Sequence, residues 1–354
     1  MGCKGEIIRL QKGFDVRNKT RLKATTARRL DTIAAMSVPM LIMCPGQGAQ
    51  TVGMAKAWLE ASTEARAVFA HADRIAGTRF GTALSEICLG GPAELLNRTD
   101  VSQPAIYATS IACWHGLVAK LGMAPGDVPL AATAGLSLGE YTALCVAGVL
   151  SFEDGLKLVM LRGRAMQDAA ESPEAASGGG GGMIALIGAD EAQAQQVCDE
   201  ARAGDILVCA NFNTPGQVVL SGHNSACARA AEVAARMGLR SAILPVSGAF
   251  HSPLMQSAAV RLGEALAKTS MHAGRCIVMS NVSAEPHESG SGAAESIRMR
   301  LSEQLIHPVK WAQCCSWLAN NVKGDWHELA PQRTLAGMMR RIDKGVKVIG
   351  HDEA

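Results

Sequence analysis

Apolar runs alternate with amphipathic segments along this chain, a pattern that predicts strands alternating with helices. The runs at 38–44 and 128–134 carry almost no polar residues and predict two buried strands. Between them, 55–76 and 103–121 have the length and spacing of helices. Because strands and helices in alternation are typical of a parallel sheet, we expect an α/β core that begins near Val38.

A glycine-rich stretch at 177–182 is the clearest linker in the sequence. The pattern after it predicts the element order β-α-β-β-α-β, which is that of a ferredoxin-like subdomain. The linker and this order divide the chain into a core and an inserted unit. The expected parts are a basic extension over 1–37, a core over 38–182 and 248–345, the ferredoxin-like subdomain over 183–247, and a C-terminal tail over 346–354.

The chain has 354 residues, of which 48% are hydrophobic and 19% charged, enough for one large core and a smaller one. Its net charge of +2 is unevenly distributed along the chain. Residues 1–35 hold nine Lys or Arg and three Asp or Glu, and the remaining residues hold 25 Lys or Arg and 29 Asp or Glu. A mildly acidic body lacks the basic surface typical of nucleic-acid-binding proteins, so we expect no such partner.

The basic N-terminal segment has no apolar core of a signal peptide. We interpret it as a disordered tail, with a transit peptide or an upstream translation start as alternatives. We expect a cytoplasmic protein, with organellar targeting through this segment left open.

Eleven cysteines are scattered in mostly apolar contexts, and only Cys314 and Cys315 are adjacent. This pattern predicts reduced thiols in an intracellular protein, with neither a disulfide framework nor a metal site. The weakly charged run 128–150 contains Glu140 and two glycines near its middle, which favours a buried strand–turn–helix over a membrane span. We therefore expect no association with membranes.

Residues 135–139 read Gly-Leu-Ser-Leu-Gly, the G-x-S-x-G form of a nucleophile elbow, between the apolar run and a helix-like run. Such a turn lifts the serine hydroxyl clear of the sheet, beside the unpaired N–H groups of a helix N-terminus. The motif predicts Ser137 as a nucleophile, with a purely structural Ser-Gly turn as the alternative.

His251 is the strongest candidate for the base among nine histidines, because it lies in a Gly-Ala-Phe loop just before a predicted helix that Ser252 caps. A neutral imidazole there could accept the serine proton and return it to a leaving group. His287 falls in a polar stretch, and we interpret it as a surface or structural histidine.

Arg162 lies on the apolar face of a helix that Ser151 caps. A buried guanidinium needs an anion, which is either a protein carboxylate or the carboxylate of a substrate, and the residues alone slightly favour the former.

The turn 45–50 is either a simple strand-ending turn or the source of a second oxyanion donor, the main-chain N–H of Gln47.

With these features, the chain resembles the malonyl-CoA:acyl carrier protein transacylases of type II fatty acid synthesis, from about Val38 to Ile342. The resemblance rests on separated motifs in one order. They are 45–54, 102–105, 135–141, 162–167, 211–217, 248–252 and 304–309.

The resemblance implies a role for several residues of the expected site. Ser137 corresponds to the acylated nucleophile and His251 to its general base. The main-chain N–H groups of Gln47 and Leu138 correspond to the oxyanion hole, and the main-chain carbonyl of Gln304 to the group that orients the histidine.

For the substrate, the resemblance assigns Arg162 to the malonyl carboxylate, and Gln103 and Asn281 to the acyl pocket. Phe250, before the histidine, resembles the malonyl-selective form of this loop and is expected to leave no room for an α-methyl group. The resemblance also implies an α/β-hydrolase-like core, a monomer, and ping-pong transfer from malonyl-CoA to acyl carrier protein without any cofactor.

Three alternatives stay open: an acyltransferase that loads polyketide carrier proteins, an α/β-hydrolase-type thioesterase or esterase, and a scaffold that only binds carrier protein. The chain also departs from the family pattern, with Leu136 in place of the usual His and 330–332 in place of a Gly-Pro-Gly turn.

Overall fold

A computed structural model describes residues 38–176 and 179–354. The predicted basic extension over 1–37 and two residues of the predicted linker lie outside this part of the chain. The described residues form a mixed α/β fold with one parallel and one antiparallel sheet. The prediction of an α/β protein is therefore confirmed, whereas the closer likeness to α/β-hydrolases stays a prediction.

The helices of the described part flank both sheets. In chain order they are α1 Lys56–Ala61, α2 Thr63–Ala76, α3 Leu84–Gly90, α4 Ala93–Leu96, α5 Thr99–Lys120, α6 Gly139–Val146, α7 Phe152–Ala170, α8 Pro173–Ala176, α9 Glu191–Arg202, α10 Asn224–Arg236, α11 Gln256–Lys268, α12 Ala293–Glu303, α13 Trp311–Asn321 and α14 Thr334–Ile342, with 3-10 turns at Pro125–Asp127 and Pro253–Met255.

The strands fall into the two sheets according to their place in the chain. The parallel sheet contains β1 Met40–Cys44, β2 Leu130–Gly135, β7 Ile277–Val278, β8 Asp325–Leu329 and β9 Val348–His351, and the antiparallel sheet contains β3 Gly181–Ile187, β4 Leu207–Thr214, β5 Gln217–His223 and β6 Arg240–Ile243.

The parallel sheet has the order β7-β2-β1-β8-β9. Its central strand β1 is buried along its whole length, because Met40 and Ile42 pack into one apolar cluster and Leu41 and Met43 into another. A strand covered on both faces explains why the sequence shows a continuous apolar run. Cys44 of β1 pairs with Gly135 of β2, so the loops after these two strands begin side by side at one edge of the sheet.

The antiparallel sheet has the order β4-β5-β3-β6. Along the chain its four strands alternate with α9 and α10 in the predicted order β-α-β-β-α-β. Helices α9 and α10 pack against it around a separate apolar cluster. Strand β3 begins at Gly181, so the predicted linker is shorter than expected, and its last two glycines belong to the sheet.

The C-terminal tail and the helix expected after Ser252 differ in extent from the prediction. Where we expected a C-terminal tail over 346–354, Val348–His351 form the edge strand β9 beside β8. The helix expected at Pro253 starts as a 3-10 turn, with the Ser252 hydroxyl accepting from the N–H of Leu254. Strand β7 has only two residues. No helix within 38–176 and 179–354 combines the length and hydrophobicity needed to cross a membrane.

Candidate active site

Ser137 lies at the tip of a tight turn between β2 and α6, with a φ of +50° in the left-handed region. The two glycines of the motif are required by close packing. A Cβ atom on Gly135 would lie 1.9 Å from the carbonyl carbon of Gly139, and one on Gly139 would lie 2.1 Å from the main-chain oxygen of Cys44. The elbow therefore tolerates no side chain at either position, and it exposes the serine as the motif predicts.

The hydroxyl of Ser137 is hydrogen bonded to the imidazole of His251, with 2.9 Å between Oγ and Nε2. On the other side of the ring, Nδ1 lies 2.7 Å from the main-chain oxygen of Gln304. A carbonyl oxygen only accepts, so Nδ1 carries the proton and Nε2 accepts from the serine. The structure thus brings together three residues that the resemblance assigns to one site and that residue spacing alone did not connect.

The imidazole of His251 is buried beside a cation. Burial disfavours the charged ring, and the positive charge of Arg162 adds to this effect, so that the pKa of His251 falls to about 4. The carbonyl of Gln304 opposes the change because it accepts a hydrogen bond from the ring. At neutral pH the imidazole is therefore uncharged and available as a proton acceptor.

Arg162 is only 1% exposed, and neutral acceptors surround its guanidinium. Its Nη1 donates to Oε1 of Gln103 at 2.8 Å, and its Nη2 donates to Oε1 of Gln304 at 2.9 Å and to Oγ of Ser137 at 3.0 Å. No carboxylate of the described residues lies within 4.0 Å of it, and burial lowers its pKa. The pair with a protein carboxylate that the residues alone slightly favoured is absent from this part of the chain.

The turn 45–50 lies directly against the elbow, since a Cβ atom on Gly46 would lie 2.3 Å from the main-chain oxygen of Leu136. Within the described residues, neither the N–H of Gln47 nor that of Leu138 donates a hydrogen bond. The Gln47 side chain is held by Thr99, whose hydroxyl accepts from Nε2 at 3.2 Å. Two free N–H groups thus flank the nucleophile, as an oxyanion hole requires.

A cavity of about 590 Å³ lies above the serine, between the parallel-sheet core and the antiparallel sheet. Ser137, Arg162 and His251 line it, together with the apolar side chains of Met166 and Phe250. This volume suits a small ligand. A larger cavity of about 740 Å³, near Trp317 and Phe212, contains none of the predicted site residues.

Leu136, the residue that departs from the family pattern, also lines the cavity. Its side chain packs against the apolar cluster that contains Leu335, and Met338 packs against the same cluster. An apolar side chain suits these surroundings, and none of the polar contacts described above involves the Leu136 side chain.

Gln103 and Asn281, expected in the acyl pocket, are fully buried, and neither is among the residues that line the cavity. Gln103 contacts the guanidinium of Arg162. The side chain of Asn281 accepts from the N–H of Ser137 at 2.6 Å and donates to the main-chain oxygen of Gly135 at 2.8 Å. Both residues therefore contact the groups that line the cavity, and their role towards an acyl group stays a prediction.

Two further residues of the site, Glu140 and His287, were not predicted to belong to it. The Glu140 carboxylate accepts from Nε2 of Gln304 and lies 2.7 Å from Nε2 of His287. His287, interpreted from sequence as a surface or structural histidine, has a side chain only 3% exposed. One available signal was that Glu140 is the lone charged residue of the apolar run 128–150. The described residues contain no cluster of three or more side chains suited to a metal ion.

The chain is similar to known proteins over most of its length. Residues 42–335 match the acyl transferase domain family. The malonyl CoA-acyl carrier protein transacylase of Escherichia coli (strain K12) is 38% identical over 299 residues, which is 84% of this chain and 91% of that protein.

Solved structures agree with this similarity. The crystal structure of malonyl-CoA:acyl carrier protein transacylase from Xanthomonas oryzae pv. oryzae is 39% identical, with a TM-score of 0.80 over 90% of this chain and 95% of that one. A structure of a type II PKS acyl carrier protein in complex with its malonyl-transacylase matches at 34% identity and a TM-score of 0.80, over 89% of this chain and 96% of that one.

Proposed function

This chain belongs to the acyl transferase domain family, and we propose that it transfers a malonyl group from malonyl-CoA to the phosphopantetheine thiol of an acyl carrier protein through Ser137. The observation that carries this proposal is the buried guanidinium of Arg162, which has no carboxylate partner in the described part of the chain and contacts the nucleophile itself. A buried cation without an anion favours an anionic ligand.

The position of Arg162 also selects the length of the acyl group. Its Nη2 lies 3.0 Å from the Ser137 oxygen, so a carboxylate bound there is close to the carbon under attack. In a malonyl thioester a single methylene separates the carboxylate from the reactive carbonyl. We infer that malonyl groups fit this spacing, whereas acetyl groups lack the charge and succinyl groups are too long.

In the first half-reaction, the Ser137 oxygen attacks the thioester carbonyl and gives its proton to Nε2 of His251. The N–H groups of Gln47 and Leu138 stabilise the negative oxygen of the tetrahedral intermediate. When the intermediate collapses, the carbon–sulfur bond breaks and His251 returns the proton to the CoA sulfur. The product is malonyl-Ser137.

The second half-reaction reverses these steps with a different thiol. The phosphopantetheine thiol of the carrier protein gives its proton to His251 and attacks the ester carbonyl of malonyl-Ser137. Collapse of the new intermediate returns the proton to the serine oxygen and releases the malonyl thioester. The serine hydroxyl attacks, the imidazole transfers the proton, and the two N–H groups stabilise the oxyanion. The proposed mechanism therefore includes neither a metal nor a redox cofactor.

Phe250 is proposed to exclude branched substrates. Its ring lies in the cavity wall beside His251 and is 5% exposed. An α-methyl group on the malonyl unit would need space in this packed wall, and close-packed side chains yield little room. Methylmalonyl-CoA is therefore expected to be a poor substrate.

The proposed partners are malonyl-CoA and acyl carrier protein, and the proposed pathway is fatty acid synthesis, in line with the resemblance of the motifs. One solved relative is described with a type II PKS acyl carrier protein, which makes polyketide loading the second candidate. A monomeric state and a cytoplasmic location stay predictions, and light scattering of the purified protein tests the first of them.

The decisive experiment incubates the protein with malonyl-CoA, with and without carrier protein, and follows intact masses. We expect a malonyl adduct on Ser137 that carrier protein removes faster than water does. Faster transfer to water than to carrier protein would indicate a thioesterase. If no adduct forms on Ser137, the protein would instead be a scaffold that only binds carrier protein. Carrier proteins from fatty acid and polyketide systems, compared side by side, separate the two pathways.

A further inference from the structure

Glu140 lies in the first turn of α6, three residues after the nucleophile, and is 1% exposed. Three donors converge on its carboxylate. Its Oε2 accepts from Nε2 of Gln304 at 2.7 Å and from the main-chain N–H of Asn281 at 3.1 Å, and its Oε1 lies 2.7 Å from Nε2 of His287. A carboxylate buried this deeply is tolerated only when its oxygens accept hydrogen bonds, as both oxygens of Glu140 do.

The side-chain amide of Gln304 connects this carboxylate to the reactive groups. Its Nε2 donates to Glu140 and also to the main-chain oxygen of Ser137 at 3.0 Å, while its Oε1 accepts from Arg162 at 2.9 Å. The same residue orients His251 through its main-chain oxygen. Gln304 therefore contacts the nucleophile, the base and the proposed carboxylate clamp.

An amide can be turned by half a rotation, which exchanges its donor and its acceptor. A main-chain carbonyl only accepts and a guanidinium only donates, so the Glu140 carboxylate, the main-chain oxygen of Ser137 and Arg162 together favour a single orientation of the Gln304 amide. The reversed amide would direct N–H groups at the guanidinium, and the buried Arg162 would lose an acceptor.

We propose that Glu140 and His287 form a positioning pair for acyl transfer, in which His287 holds the carboxylate and the carboxylate fixes the Gln304 amide against Arg162. This inference rests on the proposed function, because its consequence is the placement of the malonyl carboxylate. The segment after β7 supplies both His287 and Asn281 to the Glu140 carboxylate. The main-chain N–H of His287 donates to the main-chain oxygen of Val278 at 2.8 Å, which holds this segment beside β7.

The test replaces Glu140 with Gln, which keeps the shape of the side chain and adds a donor that can reverse the Gln304 amide. Malonyl-CoA and acetyl-CoA are compared as donors in Ser137 loading at several concentrations. We expect kcat/KM for malonyl loading to fall by about tenfold or more, mainly through a higher KM, with a smaller fall for acetyl loading. The malonyl-to-acetyl ratio then decreases.

The matched control is Glu328→Gln. Glu328 is another fully buried carboxylate, and it accepts main-chain N–H groups of Leu335 and Ala336 at 2.7 Å, outside the network of Gln304. A structural defect alone lowers Tm and both loading rates together, so the malonyl-to-acetyl ratio of Glu328→Gln should equal that of the wild type. An unchanged ratio in Glu140→Gln would overturn the proposal.

Two His287 variants keep the proposal testable if Glu140→Gln does not fold. His287→Leu removes the donor and should lower the malonyl-to-acetyl ratio, whereas His287→Gln retains an N–H near the position of Nε2 and should restore it. Equal ratios in these two variants would also overturn the proposal. Failure of the wild type to load malonyl on Ser137 is a separate result, which overturns the proposed function instead.

Discussion

The guanidinium of Arg162 donates a hydrogen bond to the hydroxyl oxygen of Ser137 across 3.0 Å. The proposed anion receptor and the nucleophile therefore lie in direct contact, and both line one cavity. This contact ties the identity of the acyl group to the chemistry at the serine. Substitutions at either residue should accordingly have distinct effects on rate and on specificity.

Ser137→Ala should abolish the acyl adduct, because no other described hydroxyl accepts the same hydrogen bond from Arg162 or contacts His251. Intact-mass measurement after incubation with malonyl-CoA checks this. A variant that still gains one malonyl group per chain would show that Ser137 is not the nucleophile. Its fold should persist, since the removed hydroxyl is a single polar group, and its Tm provides the control.

Arg162→Ala should lower malonyl transfer by about 100-fold or more, because it removes a charge-assisted, two-pronged contact to the substrate carboxylate. Loading from acetyl-CoA should fall much less, so the preference for malonyl over acetyl decreases. Rates of loading from malonyl-, acetyl- and succinyl-CoA measure this. An unchanged order of preference would remove Arg162 from its proposed role in specificity.

The loss of activity at acid pH should occur well below the pH at which an ordinary histidine becomes protonated. His251 acts as a base only when neutral, and burial and the charge of Arg162 lower its pKa to about 4. The value of kcat/KM for loading, which reports the free enzyme, should stay level through about pH 6.5 and decline only near pH 4. Arg162→Ala removes one cause of the shift, so its acid limb should move to higher pH.

The same shift links protonation of His251 to stability. Because the pKa is lower in the folded protein than in the unfolded chain, the unfolded chain binds the proton more readily. The contribution of His251 to stability is complete above about pH 6.5 and is lost as the pH falls towards 4. His251→Gln should therefore lose less stability than the wild type over this interval, as measured by denaturant unfolding at each pH.

Gly135→Ala should destabilise the protein by about 3 kcal/mol or more, since the added Cβ would lie 1.9 Å from main-chain atoms that cannot move aside. Gly337→Ala is the matched control. Gly337 lies within a helix with nothing within 4 Å of an added Cβ, so this change should stabilise by about 0.5–1 kcal/mol. Urea unfolding of both variants measures the difference, and equal stabilities would contradict the packing argument.

Phe250→Ser should increase loading from methylmalonyl-CoA relative to malonyl-CoA, by about tenfold, because a smaller side chain opens the cavity wall beside His251. Competition between the two thioesters in one reaction, followed by mass spectrometry of the acyl-serine peptide, gives the ratio directly. Comparable loading of both thioesters by the wild type would refute the proposed role of Phe250.

Local patterns in the sequence predicted most of the helices and strands, and also the glycine-flanked turn that carries Ser137. The Ser151 cap of α7 and the order of the β-α-β-β-α-β unit follow from patterns local to each helix and strand, and the structure shows both. The boundaries were less accurate where tertiary packing decides them. Strand β9 exists because the edge of β8 is available to pair with it, which no local pattern encodes.

The sequence by itself determined that Ser137 lies on a tight, glycine-flanked turn, because the G-x-S-x-G motif stands between an apolar run and a helix-like run. Only the tertiary structure decided what meets that serine. His251 and Gln304 come from 114 and 167 residues further along the chain, and His287 comes from a stretch that looked like surface. His251 follows β6 of the antiparallel sheet, Gln304 follows helix α12, and His287 follows β7 of the parallel sheet. These segments meet beside the elbow only when both sheets and the helix pack together, so the spacing of the residues along the chain carries no trace of their contact.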